Sequence, residues 1–183
     1  MENYHRKKDM RVFTKELFSS LDDTTSEFLR SASLFDENEI NKIPFEGSWT
    51  AAQVAEHVTR SNIGITKELQ KEGKVCDREP DAGVEQIKSI FLNFTKKLKS
   101  PKFILPTKNV YEKERLIADL KKSIDRLKEE GKHQDLFKEI HHPIFGDVTK
   151  LELIHFVVYH TQRHIHQLKN IFKIIEEEKR IPG

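Results

Sequence analysis

Cysteine is almost missing from this chain: Cys76 stands alone among 183 residues. No intramolecular disulfide framework can exist, and there is no spacing for a Cys-based metal site or a redox pair, so the reducing cytoplasm is the expected compartment. Glycine and proline are also scarce, with seven and six residues, too few for the turn-dense pattern of an all-β fold. No run of eighteen apolar residues occurs, and the opening MENYHRKKDMRVF lacks the apolar stretch of a secretory signal. A soluble, non-exported protein without a membrane partner is expected. Nor does one charge dominate, since 32 Lys and Arg face 30 Asp and Glu, for a net charge of +2. The two signs are interspersed, which is no nucleic-acid footprint. A Gly-rich phosphate loop, a G-x-S-x-G elbow, a positioned Cys nucleophile and internal repeats are absent as well.

What is present is long amphipathic periodicity in a chain the size of a single domain, residues 1–183. Met10, Phe13, Leu17, Leu21, Phe28, Ala32 and Phe35 recur on one helical face, ending near Ser33 to Asp36. A loop with Pro44 and Gly47 leads to WTAAQVAEHV. There Thr50 and Gln53 form a T-x-x-Q capping box, with Trp49 and Val54 as its hydrophobic staple. The second helix then carries Val54, Val58, Ile65 and Leu69, and Gly73 is its expected stop. Between Asp81 and Ser100, Val84, Ile87, Phe91, Phe94 and Leu98 mark an accessory helix closed by Pro101 and Pro106. A further helix spans Glu112 to Glu130 on Leu116, Ile117, Leu120, Ile124 and Leu127, with Gly131 as its stop; HHPIFGD reads as a loop. The last helix opens on a second capping box, Thr149 and Glu152 with staple Val148 and Leu153, and runs to about Glu178. Four long patterns without period-2 strands predict an all-α, antiparallel four-helix bundle, its accessory helix lying in a crossover connection.

The last helix holds the chemical anomaly. Its stripe Leu153, Val157, His160, His164, Leu168, Ile171, Ile175 places two imidazoles on a core-facing surface. Four-residue spacing stacks their rings closely enough to share a metal ion. An isolated H-x-x-x-H is more often a hydrogen-bonded core pair, but His57, beside Val54 and Val58 on the second helix, offers a third inward imidazole. Three histidines from two helices would leave an open coordination position, the catalytic type of site. His155 and His166 fall on the polar face and are expected in solvent. Gln53, Arg60 and Ser61 share a face with His57, and Gln167 shares one with His164. These four are candidates for holding the ligands or touching substrate. Glu56 reads as a solvated charge, Trp49 as a core anchor, and His141 and His142 as surface residues or contacts at the mouth of the site.

These segments resemble the DinB-like superfamily, which includes YfiT-type metal-dependent hydrolases and thiol-dependent transferases. The resemblance rests on GSWTAAQVAEHV, HPIFGDVTKLELIHF and YHTQRHIHQL and covers most of the chain. Residue by residue, the family's metal ligands fall on His57, His160 and His164. The resemblance implies up-down-down-up connectivity, one bound divalent ion, zinc or nickel, and a homodimer. It also implies a small-molecule substrate, in some relatives with a low-molecular-weight thiol.

Two functions are then expected to compete. In one, the metal lowers the pKa of a bound water or thiol, which becomes the nucleophile of a hydrolase or thiol-dependent transferase. In the other, the bundle is a non-catalytic, stress-associated metal-binding and interaction protein. A site sealed by the segment around Phe91, Phe94 and Phe103 would favour the second; an open polar cleft would favour the first.

Overall fold

The computed structural model describes residues 2–180, with side chains from Phe13 onward. Five helices follow one another: α1 (Glu2–Ser33), α2 (Ala51–Leu69), α3 (Val84–Phe91), α4 (Lys113–His133) and α5 (Lys150–Arg180). Strands β1 (Glu139–His142) and β2 (Gly146–Thr149) form an antiparallel hairpin before α5.

Both capping boxes form. Thr50 Oγ1 accepts from the Gln53 amide at 3.1 Å while Gln53 Oε1 accepts from the Thr50 amide at 3.1 Å. At α5 the Thr149 amide reaches Glu152 Oε2 at 2.9 Å and the Glu152 amide reaches Thr149 Oγ1 at 3.1 Å. These reciprocal bonds satisfy amides that a helix start leaves orphaned, so both helices begin where their local sequence dictates.

Cross-helix contacts fix the bundle's directions. Phe13 lies against His155, Glu27 pairs with Lys169 and Phe35 packs on Phe172, so α1 and α5 run parallel. Asn62 bonds Ser123 and Gln70 bonds Glu130, so α2 and α4 are parallel too. Asp22 pairs with Lys128 while Lys113 Nζ reaches the Ser33 carbonyl, making α1 and α4 antiparallel. The order is up-down-down-up. Parallel neighbours α2 and α4 require a long crossover, and residues 70–112 supply it, with α3 inside.

The apolar stripes meet in two core clusters. Phe28, Phe35, Val54, Val58, Leu120, Leu168 and Ile171 belong to one, and Leu17, Leu21, Leu69, Leu127, Leu153 and Val157 to the other. Met10, expected on the first stripe, has its side chain outside the described residues, and Phe13 keeps about a third of its surface, 36%, exposed. His160 and His164 fall in α5 between Val157 of one cluster and Ile165 of the other.

Four local expectations are corrected. Helix α2 ends at Leu69, capped by Gln70, before Gly73. Gly73 instead permits close approach to β1: a Cβ there would stand 2.5 Å from Lys138 Cβ, beside the bridge between Lys74 and Glu139. Helix α4 continues through Gly131, whose missing side chain makes room for the Phe18 ring. The accessory helix stops at Phe91, because Asn93 Oδ1 turns the chain by accepting from the Thr95 amide at 3.2 Å and Arg163 takes the carbonyls of Phe91, Asn93 and Lys96. Phe94 is therefore exposed. Finally, HHPIFGD is a hairpin and not a loop, its turn closed by Gly146 at φ 72°.

Among the described residues no helix is long and apolar enough to cross a membrane.

Candidate metal centre

Helix α2 delivers His57 to the bundle interior, and α5 delivers His160 and His164 one turn apart. Their relative exposures are 1%, 5% and 7%, so solvent reaches almost none of the three rings. His160 Nε2 lies 3.1 Å from Nε2 of both His57 and His164. Among the described residues this is the one group of His, Cys or carboxylate donors close enough to hold an ion, all three atoms lying within 4.8 Å of one another.

The far side of two rings decides their tautomers. His57 Nδ1 donates to the carbonyl of Ile104 at 2.9 Å, and His164 Nδ1 donates to Gln167 Oε1 at 2.9 Å. With the proton on Nδ1, each Nε2 turns a lone pair inward. His160 Nε2 carries at most one proton and can donate to only one of them, which leaves at least one inward lone pair without a donor unless a cation stands between. Burial, reinforced by the neighbouring cationic forms, pushes His160 well below the ordinary histidine range. Burial likewise pushes His164 down to about 3 and lowers His57. The rings are neutral near pH 7, the form that coordinates. Nitrogens at about 2.05 Å from a tetrahedral ion stand about 3.3 Å apart, so the 3.1 Å spacings fit one shared ion.

Aromatic side chains wall the site. Trp49 lies 5.1 Å from the His57 ring, Phe91 lies 5.8 Å from His160, and Phe156 stacks on His160 at 5.0 Å. Trp49 is thus a contact of a candidate ligand as well as an anchor packed on the core. Phe156 precedes His160 by one helical turn, a spacing that could have disclosed it; the Ile104 carbonyl, a backbone group, has no sequence signature.

The remaining candidates divide. Gln167 touches the site through His164. Gln53 Nε2 donates to the Lys108 carbonyl at 3.2 Å and Arg60 to the Phe103 carbonyl at 2.6 Å, so both hold the crossover segment instead of a ligand ring. Ser61 is buried on the same helix. Glu56 is no free surface charge: it accepts from the Thr107 amide at 2.7 Å, from Thr107 Oγ1 at 2.6 Å and from the Tyr111 hydroxyl. Burial acts to raise its pKa, but these bonds outweigh it and leave the carboxyl below its usual range.

Of the other histidines, His166 is exposed and stacked on Phe94, whereas His155 is only half-exposed. Its Nε2 is buried with no hydrogen-bond partner among the described residues, because α1 covers the start of the face expected in solvent. His141 lies at the surface, bonded to Asp147 at 2.9 Å. His142 is buried, accepts from the Ile144 amide at 3.2 Å and stacks on Phe145. Phe145 and then Phe156 separate it from His160.

Comparison with known proteins agrees with this architecture. Bacillus subtilis YuaE, an uncharacterised protein, is 23% identical over 151 residues, covering 76% of this chain and 87% of YuaE. The solved structure of TT2238, a four-helix bundle protein, aligns with a TM-score of 0.55 at 20% identity, over 85% of this chain and 98% of that one. Bacillus subtilis YfiT, described as a probable metal-dependent hydrolase with an unusual four-helix bundle topology, aligns with a TM-score of 0.57 at 14% identity, over 88% and 87% of the two chains. The sequence pattern of the DinB superfamily matches residues 20–168, and the chain belongs to that superfamily.

Proposed function

We propose that His57, His160 and His164 hold one divalent metal ion, zinc or nickel, and that the protein is a metal-dependent enzyme acting on a small molecule by hydrolysis or by transfer to or from a low-molecular-weight thiol. The observation that carries the metal is the convergence of three buried Nε2 atoms, two with their lone pairs turned inward by acceptors behind the rings. When bound, such an ion supplies Lewis acidity at its open position. The chain itself supplies the rest. Ile104 and Gln167 orient two ligand rings, and Trp49, Phe91 and Phe156 keep bulk water away. The likeness to YfiT supports hydrolysis; the fold alone does not choose a reaction.

A second reading has an observation in its favour. Phe91 covers His160, and neither of two surface cavities, one of about 520 Å³ between α2 and α4 and one of about 630 Å³ along α1 and α5, is lined by any of the three histidines. A closed site suits a non-catalytic metal-binding protein, whereas Phe94 and Phe103, both exposed, take no part in closing it. Elemental analysis of tag-free protein tests the metal. Assays of the loaded protein with esters and amides, then with a thiol and an electrophile, separate the activities; no turnover in either leaves the binding-protein reading.

A further inference from the structure

The hydrogen bond behind His57 comes from outside the bundle. Ile104 belongs to the short 3-10 turn Lys102–Ile104 in the crossover, and from there to Tyr111 the chain runs back along α2. The partners form a register: Arg60 with Phe103, His57 with Ile104, Glu56 with Thr107 and Tyr111, Gln53 with Lys108. Residues 53, 56, 57 and 60 share one face of a helix. Each of the four bonds this strap through its side chain, and the bonds of Gln53, Glu56 and Arg60 flank that of the ligand His57. Tyr111 is pinned from its other side by Asn41, whose Oδ1 accepts the Tyr111 amide and whose Nδ2 donates to the Tyr111 carbonyl, both at 2.8 Å.

We propose that Glu56 is a positioning residue of the metal centre. It clamps the 103–111 strap on α2 so that the Ile104 carbonyl holds His57 with Nε2 free for the ion, and metal occupancy and strap docking are thereby linked. This rests on the three-histidine reading. The physical reason is that a ligand imidazole depends on the acceptor behind it for tautomer, orientation and basicity, and losing such a partner costs about 10–100-fold in affinity. Here the acceptor is the carbonyl that ends a three-residue 3-10 turn in the crossover, outside the bundle helices. Of the strap's ties to α2, Glu56 makes the most, accepting three bonds through two oxygens. Linkage is reciprocal, so the ion must in turn favour the docked strap.

The test measures metal affinity by chelator competition and amide exchange across residues 103–111, with and without metal, in wild type, Glu56→Ala, Glu56→Gln, Tyr111→Phe and the control Gln70→Ala. Gln70 bonds Glu130 on α4 and does not touch the strap. Affinity should fall about 10–100-fold in Glu56→Ala, less in Glu56→Gln, which keeps one acceptor oxygen, and less in Tyr111→Phe, while Gln70→Ala stays at wild type. Metal should protect the strap amides in wild type but no longer in Glu56→Ala, with α4 unaffected. Wild-type affinity in Glu56→Ala and Tyr111→Phe, alongside a loosened strap, would overturn the linkage. A wild type that binds no metal would remove the reading beneath it. Should Glu56→Ala fail to fold, Tyr111→Phe, which loses one hydroxyl, decides the matter by the same readouts.

Discussion

At the residue scale, buried polar groups in this protein are informative because each demands a partner. Glu152 shows it most fully. Its carboxylate, beneath the start of α5, receives Arg78 at 2.6 and 2.7 Å, the Gly83 amide at 2.6 Å and the Thr149 amide at 2.9 Å. Burial would raise its pKa, yet the Arg78 bonds and the two amides outweigh that and hold it below the ordinary range. The folded state therefore binds fewer protons than the unfolded one in acid. Stability from this group is complete above the unfolded pKa of about 4.3 and is lost as pH falls through the lower folded value. Glu152→Gln should destabilise by about 1.5–3 kcal/mol near neutrality, the worth of charged hydrogen bonds, and the gap to wild type should narrow below about pH 4.5. Urea unfolding of both proteins across the acid range checks this; a gap constant with pH contradicts it. The histidines were legible at this scale because imidazole on an apolar stripe is anomalous in itself. Glu56 was not, since a glutamate on a helix reads as solvated until the segment folding over it is known.

At the scale of elements, legibility followed how local the determinant is. The starts of α2 and α5 were readable because each capping box spans four residues and involves no distant group. Ends were not. Gly73 and Gly131 looked like helix stops, but one accommodates Lys138 and the other Phe18, residues remote in sequence. The overlong reading of α3 has the same origin, because the carbonyls that would continue the helix are taken by Arg163 from α5. The β1–β2 hairpin has four-residue strands, too short for a period-2 signal, around a turn containing Pro143. If Gly73 serves close approach, Gly73→Ala must push β1 away, since the new Cβ would meet Lys138 Cβ at 2.5 Å and the Glu139 carbonyl at 3.2 Å. The expected cost is about 1–3 kcal/mol, read by chemical denaturation. An unchanged midpoint would show that Gly73 is a simple loop residue.

At the scale of the molecule, up-down-down-up order is what makes the site. With α1 packed beside α5 and α4 beside α2, α2 and α5 are direct neighbours and antiparallel, so His57 meets His160 and His164. The long crossover needed by parallel α2 and α4 then passes over His57 and closes the centre. Metal bound only by the folded state should stabilise it by mass action, about 2.7 kcal/mol at a free concentration 100 times Kd. Chelator-treated protein should accordingly melt below the reloaded protein in calorimetry, and an equal Tm after verified removal would speak against the centre. The homodimer implied by the family resemblance is checked by sedimentation at micromolar concentration, where a monomer alone would exclude it.

One ion shared by three histidines on two helices is the core of the proposed metal centre. Stability of the variants does not isolate it, because a core truncation costs about 1–3 kcal/mol whatever its cause. Metal content per folded monomer does, measured without a His-tag on wild type, His57→Ala and His166→Ala. His166 lies on α5 two residues past His164, exposed and pointing away. Near-equal stoichiometry is expected in wild type and His166→Ala, and a large loss in His57→Ala although that residue sits on a different helix from the paired histidines. Full metal content in His57→Ala together with loss in His166→Ala would contradict the shared centre.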